Sequence, residues 1–211
     1  LLCFFTDLPL PARDDGIHPG GLQSAKRAVM PMIATQVSAG VDAQGQPAVV
    51  LQGLAPVAGP GTRLLLLGSF PGLASLAAQQ YYGHARNQFW PLLSAIWQTD
   101  LLALAYADRL LAMQERGLGL WDVVASCQRV GSLDSAIRAA MPNDLPGLAA
   151  RLPALQAIAH NGGASARAMR VTTALGVPVH RLPSSSPANA SWTFARKLDA
   201  WQAVFQQHGV V

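Results

Sequence analysis

A chain of 211 residues, 51% hydrophobic and 12% charged, carries apolar material for one well-buried domain and little room for two. No stretch reaches the roughly 18 uninterrupted apolar residues of a membrane span. The opening Leu-Leu-Cys-Phe-Phe lacks a signal peptide's basic flank, and Cys3 and Cys127 supply neither a disulfide framework nor a four-cysteine metal site.

Residues 1–48 mix Gly, Pro, Asp and Gln without sustained periodicity. They are expected to be a disordered or non-native extension, with the folded domain over 49–211. The net charge of +4 divides as −1 over residues 1–49 and +5 over 50–211, nearly all of the positive charge being arginine. Such a balance permits a polyanionic partner without requiring one.

From residue 49 the pattern becomes regular. Arg63–Leu67 reads as a buried strand, and the turn after it opens on Gly68 and Pro71. Helical spacing follows over Phe89–Gln98 and Leu101–Glu115. Gly119–Val124, Ala154–His160 and Val177–Leu182 read as three further strands. Ala164–Leu175 between the last two is a helix ended by Gly176, with Pro178 beyond. Ser191–Gln207 closes the chain as a helix, with Ser191 as N-cap and Trp192, Leu198, Trp201 and Phe205 on its inner face. Strands separated by helices predict parallel crossovers and an α/β fold, a three-layer α/β/α sandwich around a mainly parallel four-stranded sheet.

Each strand end is followed by residues with no packing role. The first loop, from Gly68 to Trp90, combines two tyrosines, His84, Arg86, Asn87 and two more aromatics; Asp122 and Ser126–Asp134, His160–Gly163, and Leu182–Ser191 follow the others. In open α/β sheets such loops converge on one ligand site. Gly68-Ser-Phe-Pro-Gly72 is not a nucleophile elbow, and neither a dinucleotide fingerprint nor a Walker lysine is present. His84, His160 and His180 lack paired metal-ligand spacing. What remains is a pocket of aromatics, amides and hydroxyls with almost no carboxylates, suited to a planar polar heterocycle. Asp122 is expected to anchor loops, because a carboxylate near DNA would repel it. Asn87 reads equally as the N-cap of the helix near Phe89, His84 as a structural histidine, and His160-Asn161-Gly-Gly as a strand-end turn.

Gly68-Ser-Phe-Pro-Gly…Gln-Tyr-Tyr-Gly-His-Ala-Arg-Asn-Gln-Phe-Trp90 resembles motif 1 of the uracil-DNA glycosylase superfamily, and Leu182-Pro-Ser-Ser-Ser-Pro-Ala-Asn-Ala-Ser191 resembles its motif 2. The hypoxanthine-DNA (deoxyinosine) glycosylase family is the nearest match, through Gly119-Leu-Trp-Asp-Val, Gly131-Ser-Leu-Asp-Ser-Ala-Ile, Pro142-Asn-Asp144 and His160-Asn-Gly-Gly163, over roughly residues 50–208. The resemblance implies a monofunctional repair enzyme that hydrolyses the N-glycosidic bond of deaminated bases in DNA, chiefly hypoxanthine. It makes Asn87 the residue that positions the catalytic water, since Phe70 stands where mismatch-type relatives have Asn. The base pocket would be Ser69, Phe70, Pro71, Gly72, Tyr82 (stacked on the base), His84 and Asn161. DNA would be gripped by Ser184, Ser185, Ser186, Pro187, Ala188, Asn189 and Arg86. Ala85 replaces a frequent Pro, which loosens the turn before Asn87. Alternatives are a uracil or mismatch glycosylase of the same superfamily and a non-catalytic damaged-DNA-binding module. The expectation is a cytoplasmic monomer that acts on DNA without metal, cofactor or membrane.

Overall fold

Leu64, Leu65, Leu66 and Leu67 are all essentially inaccessible to solvent. Side chains alternate across a strand, so such a run requires an apolar layer on each face of its sheet. The structure, a computed structural model, describes residues 38–41 and 47–211. Its strands in chain order are β1 (Ser38–Val41), β2 (Pro47–Gln52), β3 (Leu64–Gly68), β4 (Leu118–Asp122), β5 (Val124–Gln128), β6 (Arg138–Pro142), β7 (Ala157–Asn161) and β8 (Val179–Leu182). The α-helices are α1 (Leu73–Ala78), α2 (Phe89–Trp97), α3 (Tyr106–Glu115), α4 (Leu145–Ala149), α5 (Met169–Thr173) and α6 (Phe194–Gln207).

The central sheet has the order β4-β3-β7-β8 and is parallel throughout, with Leu66 paired to Leu120 and Ala159. Leu64 and Leu66 face one layer, where Phe89, Leu92, Leu93 and Ile96 of α2 meet Trp201 and Phe205 of α6. Leu65 and Leu67 face the other, among Trp121, Leu145, Leu148 and Ile158. This is the three-layer sandwich predicted from the strand and helix order.

A second, antiparallel sheet of order β1-β2-β5-β6 has no counterpart in the sequence reading. Its strand Arg138–Pro142 is exposed at every position and carries no usable pattern. Gly119–Val124, expected as one strand, is divided at Val123, where the chain leaves the parallel sheet as β4 and enters the antiparallel one as β5. The 1–48 extension lies outside the described residues except for β1 and the first two residues of β2.

Three helices depart from expectation, the first being 101–115, which divides into a 3-10 turn, Leu101–Ala103, and α3 from Tyr106. The segment 164–175 is a 3-10 turn, Ser165–Ala168, followed by the short α5. The last helix begins at Phe194, not Ser191, because the Thr193 hydroxyl accepts from the Arg196 N–H and takes the cap. Trp192 therefore precedes the helix and lies beneath the Arg196 guanidinium, 4.5 Å from its ring centre.

His160 on β7 is fully buried, and its polar partners come from the α5 layer. Ser165 Oγ donates its one proton to Leu67 O (2.7 Å), so it accepts from His160 Nδ1 (2.8 Å). His160 Nε2 must then accept from Thr172 Oγ1 (2.9 Å). Burial pushes the imidazole pKa down from 6.5 to about 4. A depressed folded-state pKa on a base means that the unfolded chain takes up its proton first as pH falls, so stability drains away between pH 6.5 and 4. The Tm advantage of the wild-type chain over His160→Gln is expected to shrink across that window, measured by thermal unfolding at steps from pH 7 to 4.

Candidate active site

The carboxyl ends of β3, β4, β7 and β8 open into a cavity of about 240 Å³. Among its lining residues are Ser69, Phe70, Pro71, Gly72, Tyr82, His84, Asn87, Asn161 and Ser184 to Ala188, so both motif segments meet in one hollow. A larger hollow of about 510 Å³ shares Asp134, Asn161, Ser184, Ser186 and Ala188 with it and continues along Gly162, Gly163, Arg181, Asn189 and Trp192.

The motif 1 turn is pinned from behind by main-chain bonds. Gly68 O accepts from Val123 N–H and Ser69 O from Val124 N–H, at 2.9 and 3.1 Å. A Cβ on Gly68 would collide with Asp122 Oδ1, which is why this strand ends on glycine. Phe70 and Pro71 border the cavity but are buried, and Phe70 packs with Leu51, Leu76 and Cys127 of a small separate core. The Arg129 guanidinium lies 4.9 Å from the Phe70 ring centre and donates to Pro71 O.

Tyr81 and Tyr82 diverge. Tyr81 turns into the core, its hydroxyl donating to Ala55 O at 3.0 Å. Tyr82 takes a left-handed backbone, φ 56°. Its ring stacks on Phe89 with centres 3.9 Å apart. His84 is exposed on the rim, and its Nδ1 accepts from the Arg86 N–H at 3.1 Å. Arg86 is exposed and lines neither hollow. Asn87 is half-buried and lines the cavity; the N-cap of α2 is Gln88, and Asn87, one residue before it, accepts at Oδ1 from the first helical N–H, that of Phe89, at 3.0 Å.

Asn161 lines the cavity as expected, with its side chain held by the protein. Its Nδ2 donates to Tyr82 Oη (3.1 Å) and Ser185 Oγ (2.9 Å), and its Oδ1 accepts from Ser185 N–H (2.9 Å). Both amide hydrogens are therefore spent on protein, and the side chain ties motif 1 to motif 2. Ser185 lines the same cavity but is wholly buried there, and its carbonyl accepts from Gln88 N–H at 2.9 Å. The rest of the loop folds on itself, with Ser184 Oγ accepting from Ser186 N–H, Ser186 Oγ from Ala188 N–H and Ser184 O from Asn189 Nδ2. Pro187 and Ala188 are left exposed at its tip.

The cavity also holds two carboxylates, contrary to the expectation that it has almost none. Asp134 Oδ1 accepts from Ser69 Oγ at 2.6 Å. Asp122, 4% exposed, lines the cavity rather than only anchoring loops, and its Oδ2 has no hydrogen-bond partner among the described residues. Burial, then the nearby Asp134 charge, push the Asp122 pKa up to about 7 against the pull of Arg129. The signal for both was the position of Asp122 at a strand end and of Asp134 in the loop that follows.

The family model of the uracil DNA glycosylase superfamily matches residues 55–206. A hypoxanthine DNA glycosylase of Methanosarcina barkeri is 36% identical over 156 residues, covering 74% of this chain and 98% of that protein. One of Methanosarcina acetivorans is 35% identical over 158 residues, covering 75% and 99%. A Methanosarcina acetivorans chain solved by solution NMR as a candidate uracil DNA glycosylase superposes with a TM-score of 0.68 at 35% identity, covering 75% of this chain and 98% of that one.

Replacing Asn161 by Ala leaves the buried Ser185 N–H unpaired and releases Tyr82. It is expected to lower the unfolding free energy by about 2 kcal/mol, measured by urea denaturation.

Proposed function

The chain belongs to the uracil DNA glycosylase superfamily, and from that premise we propose that it removes deaminated bases, hypoxanthine foremost, from DNA by hydrolysing the N-glycosidic bond. The observation that carries the reading is the single cavity at the carboxyl ends of the strands, in which Asn87, Tyr82, the 68–72 turn and the 184–188 loop meet. Its volume of about 240 Å³ suits one extruded base.

In this mechanism the flipped base enters between Tyr82 and the Ser69–Gly72 turn. Phe89 backs Tyr82 at stacking distance and fixes the plane against which the base lies. As the C1′–N9 bond lengthens, positive charge gathers on the sugar and negative charge on the base. Asn87, with Oδ1 anchored on α2, orients a water toward C1′. Backbone N–H groups of the motif 1 turn face the departing base. Pro187 and Ala188, at the tip of a loop stiffened by its own hydrogen bonds, fill the gap that the base leaves. Arg181, along the larger hollow, and Arg86 on the exposed rim take the phosphates.

Among the described residues no lysine lines the cavity; Lys197 is buried and donates to Gln88 Oε1 at 2.8 Å. This favours simple hydrolysis over a Schiff-base route.

A deoxyinosine-containing duplex treated with the protein and then alkali is expected to break at the lesion; intact strands with inosine, uracil and xanthine alike would refute the reading. Asn87→Ala is expected to slow single-turnover base release by about 100-fold or more, while the lost hydrogen bond to Phe89 N–H costs about 1 kcal/mol of stability. An unchanged rate would remove Asn87 from its role.

A further inference from the structure

The superfamily chemistry proposed above uses amides and aromatics, and nothing in it employs Asp122. Yet this side chain is the least comfortable group in the cavity. It is almost fully buried, lines the hollow, and keeps one carboxyl oxygen without a partner among the described residues. A buried ionised carboxylate needs donors around it. None reaches Oδ2, and on the other side Gly68 presents a bare Cα to Oδ1 where any larger residue would collide.

The charged and titratable groups around it come from several elements. Asp134 follows β5 and disfavours a second negative charge. Arg129 favours one, but its contacts lead toward Pro71 and Phe70. Tyr81 and Tyr82 approach from the segment before α2, and both hydroxyls are pushed up by burial and by Asp122 itself. His84 stands on the same cavity's rim. With no donor at Oδ2 and an acidic neighbour, the carboxyl is held as the neutral acid below about pH 7. It then carries a proton and needs an acceptor.

An empty hollow that takes a purine supplies one. Hypoxanthine offers N7 and O6 as adjacent acceptors on its major-groove edge. We infer that Asp122 is a catalytic acid of this site, donating its carboxyl proton to N7 of the extruded hypoxanthine. The inference rests on the glycosylase reading and deepens it. The C1′–N9 bond breaks with its electron pair going to the base. The Asp122 O–H bond breaks with its proton going to N7, so the base leaves as neutral hypoxanthine protonated at N7 and Asp122 remains as a carboxylate. Water adds its oxygen to C1′ and loses one proton to solvent, from which Asp122 is reprotonated. A pyrimidine has no N7, so the acid also selects for purines.

The test is single-turnover release from a deoxyinosine duplex between pH 5.5 and 9. Wild-type protein is expected to hold a plateau and then to slow about tenfold per pH unit above about 7, where Asp122 gives up its proton. Asp122→Asn keeps the shape and a donor but has no transferable proton; it is expected to be about 100-fold slower and to lose the alkaline limb. Competition with a 7-deaza-deoxyinosine duplex, which lacks N7, requires no variant. Wild-type protein is expected to prefer deoxyinosine, and Asp122→Ala, which leaves no donor, to bind both alike. A flat wild-type profile to pH 9, equal binding of the two duplexes by wild type, or an Asp122→Asn variant with the original rate and limb would overturn the assignment while the glycosylase reading stands. Absence of base release by wild type at every pH overturns both.

Discussion

The site depends on one side chain, the carboxamide of Asn161. It stands at the last position of β7, a strand held by β3 on one side and β8 on the other. From that fixed point three hydrogen bonds reach Tyr82 in one motif and Ser185 in the other. The two segments lie about a hundred residues apart along the chain, and loops alone would leave them loosely related. Ser185 carries the constraint onward, through its carbonyl, to Gln88 beside Asn87. Lys197 of α6 holds the Gln88 side chain, and Trp201 Nε1 of the same helix donates to Pro183 O at 2.9 Å. Tyr82, Asn87 and the 184–188 loop, which the proposed function makes base stack, water-positioning residue and DNA-facing loop, are thus parts of one network. Catalytic groups held within tenths of an ångström have this kind of support around them.

A second constraint sets the other wall. The motif 1 turn cannot move relative to β4, because Val123 and Val124 donate to its carbonyls and Gly68 leaves only the room that Asp122 fills. The antiparallel sheet begins at the same place. Leu51 of β2 and Cys127 of β5 pack on Phe70, so the sheet acts as a brace behind the turn. Phe70 is in this respect a core residue that shows one edge to the cavity. This accounts for an aromatic at a position where the mismatch-type pattern carries an amide.

The parallel sheet was legible because its strands are apolar on both faces, a pattern that Leu64–Leu67 displays without ambiguity. Which residues meet was legible for a related reason: loops after parallel strands converge by topology, and most of the expected residues line the one cavity. The antiparallel sheet was not legible, since exposed Arg138–Pro142 and half-buried Val124–Gln128 have neither alternation nor an apolar run. Direction within a loop was equally hidden. Ser184, Ser185 and Ser186 are one residue type in a row, yet only the middle one is wholly buried. Asn161 has the composition of a base reader, and only its partners' positions reveal that its hydrogens are committed. From sequence, the repulsion between negative charge and DNA argues against a site role for the Asp122 carboxyl. That argument fails for a group whose burial favours the neutral form.

Tyr82 brings these strands of physics together. A bulky residue at φ 56° sits in a region that costs about 1 to 3 kcal/mol. Nothing local offsets that cost, since the residue after it is already glycine and could have taken the turn. The compensation is tertiary: a stacked contact with Phe89 on one side and the Asn161 hydrogen bond on the hydroxyl. Relaxing the backbone would swing the ring off Phe89 and away from the cavity. The strain therefore holds a flat surface ready at the place where the proposed function lays the base. Ordering that ring at the moment of binding would draw on the energy that extrudes the nucleotide; ordering it during folding draws on the core instead.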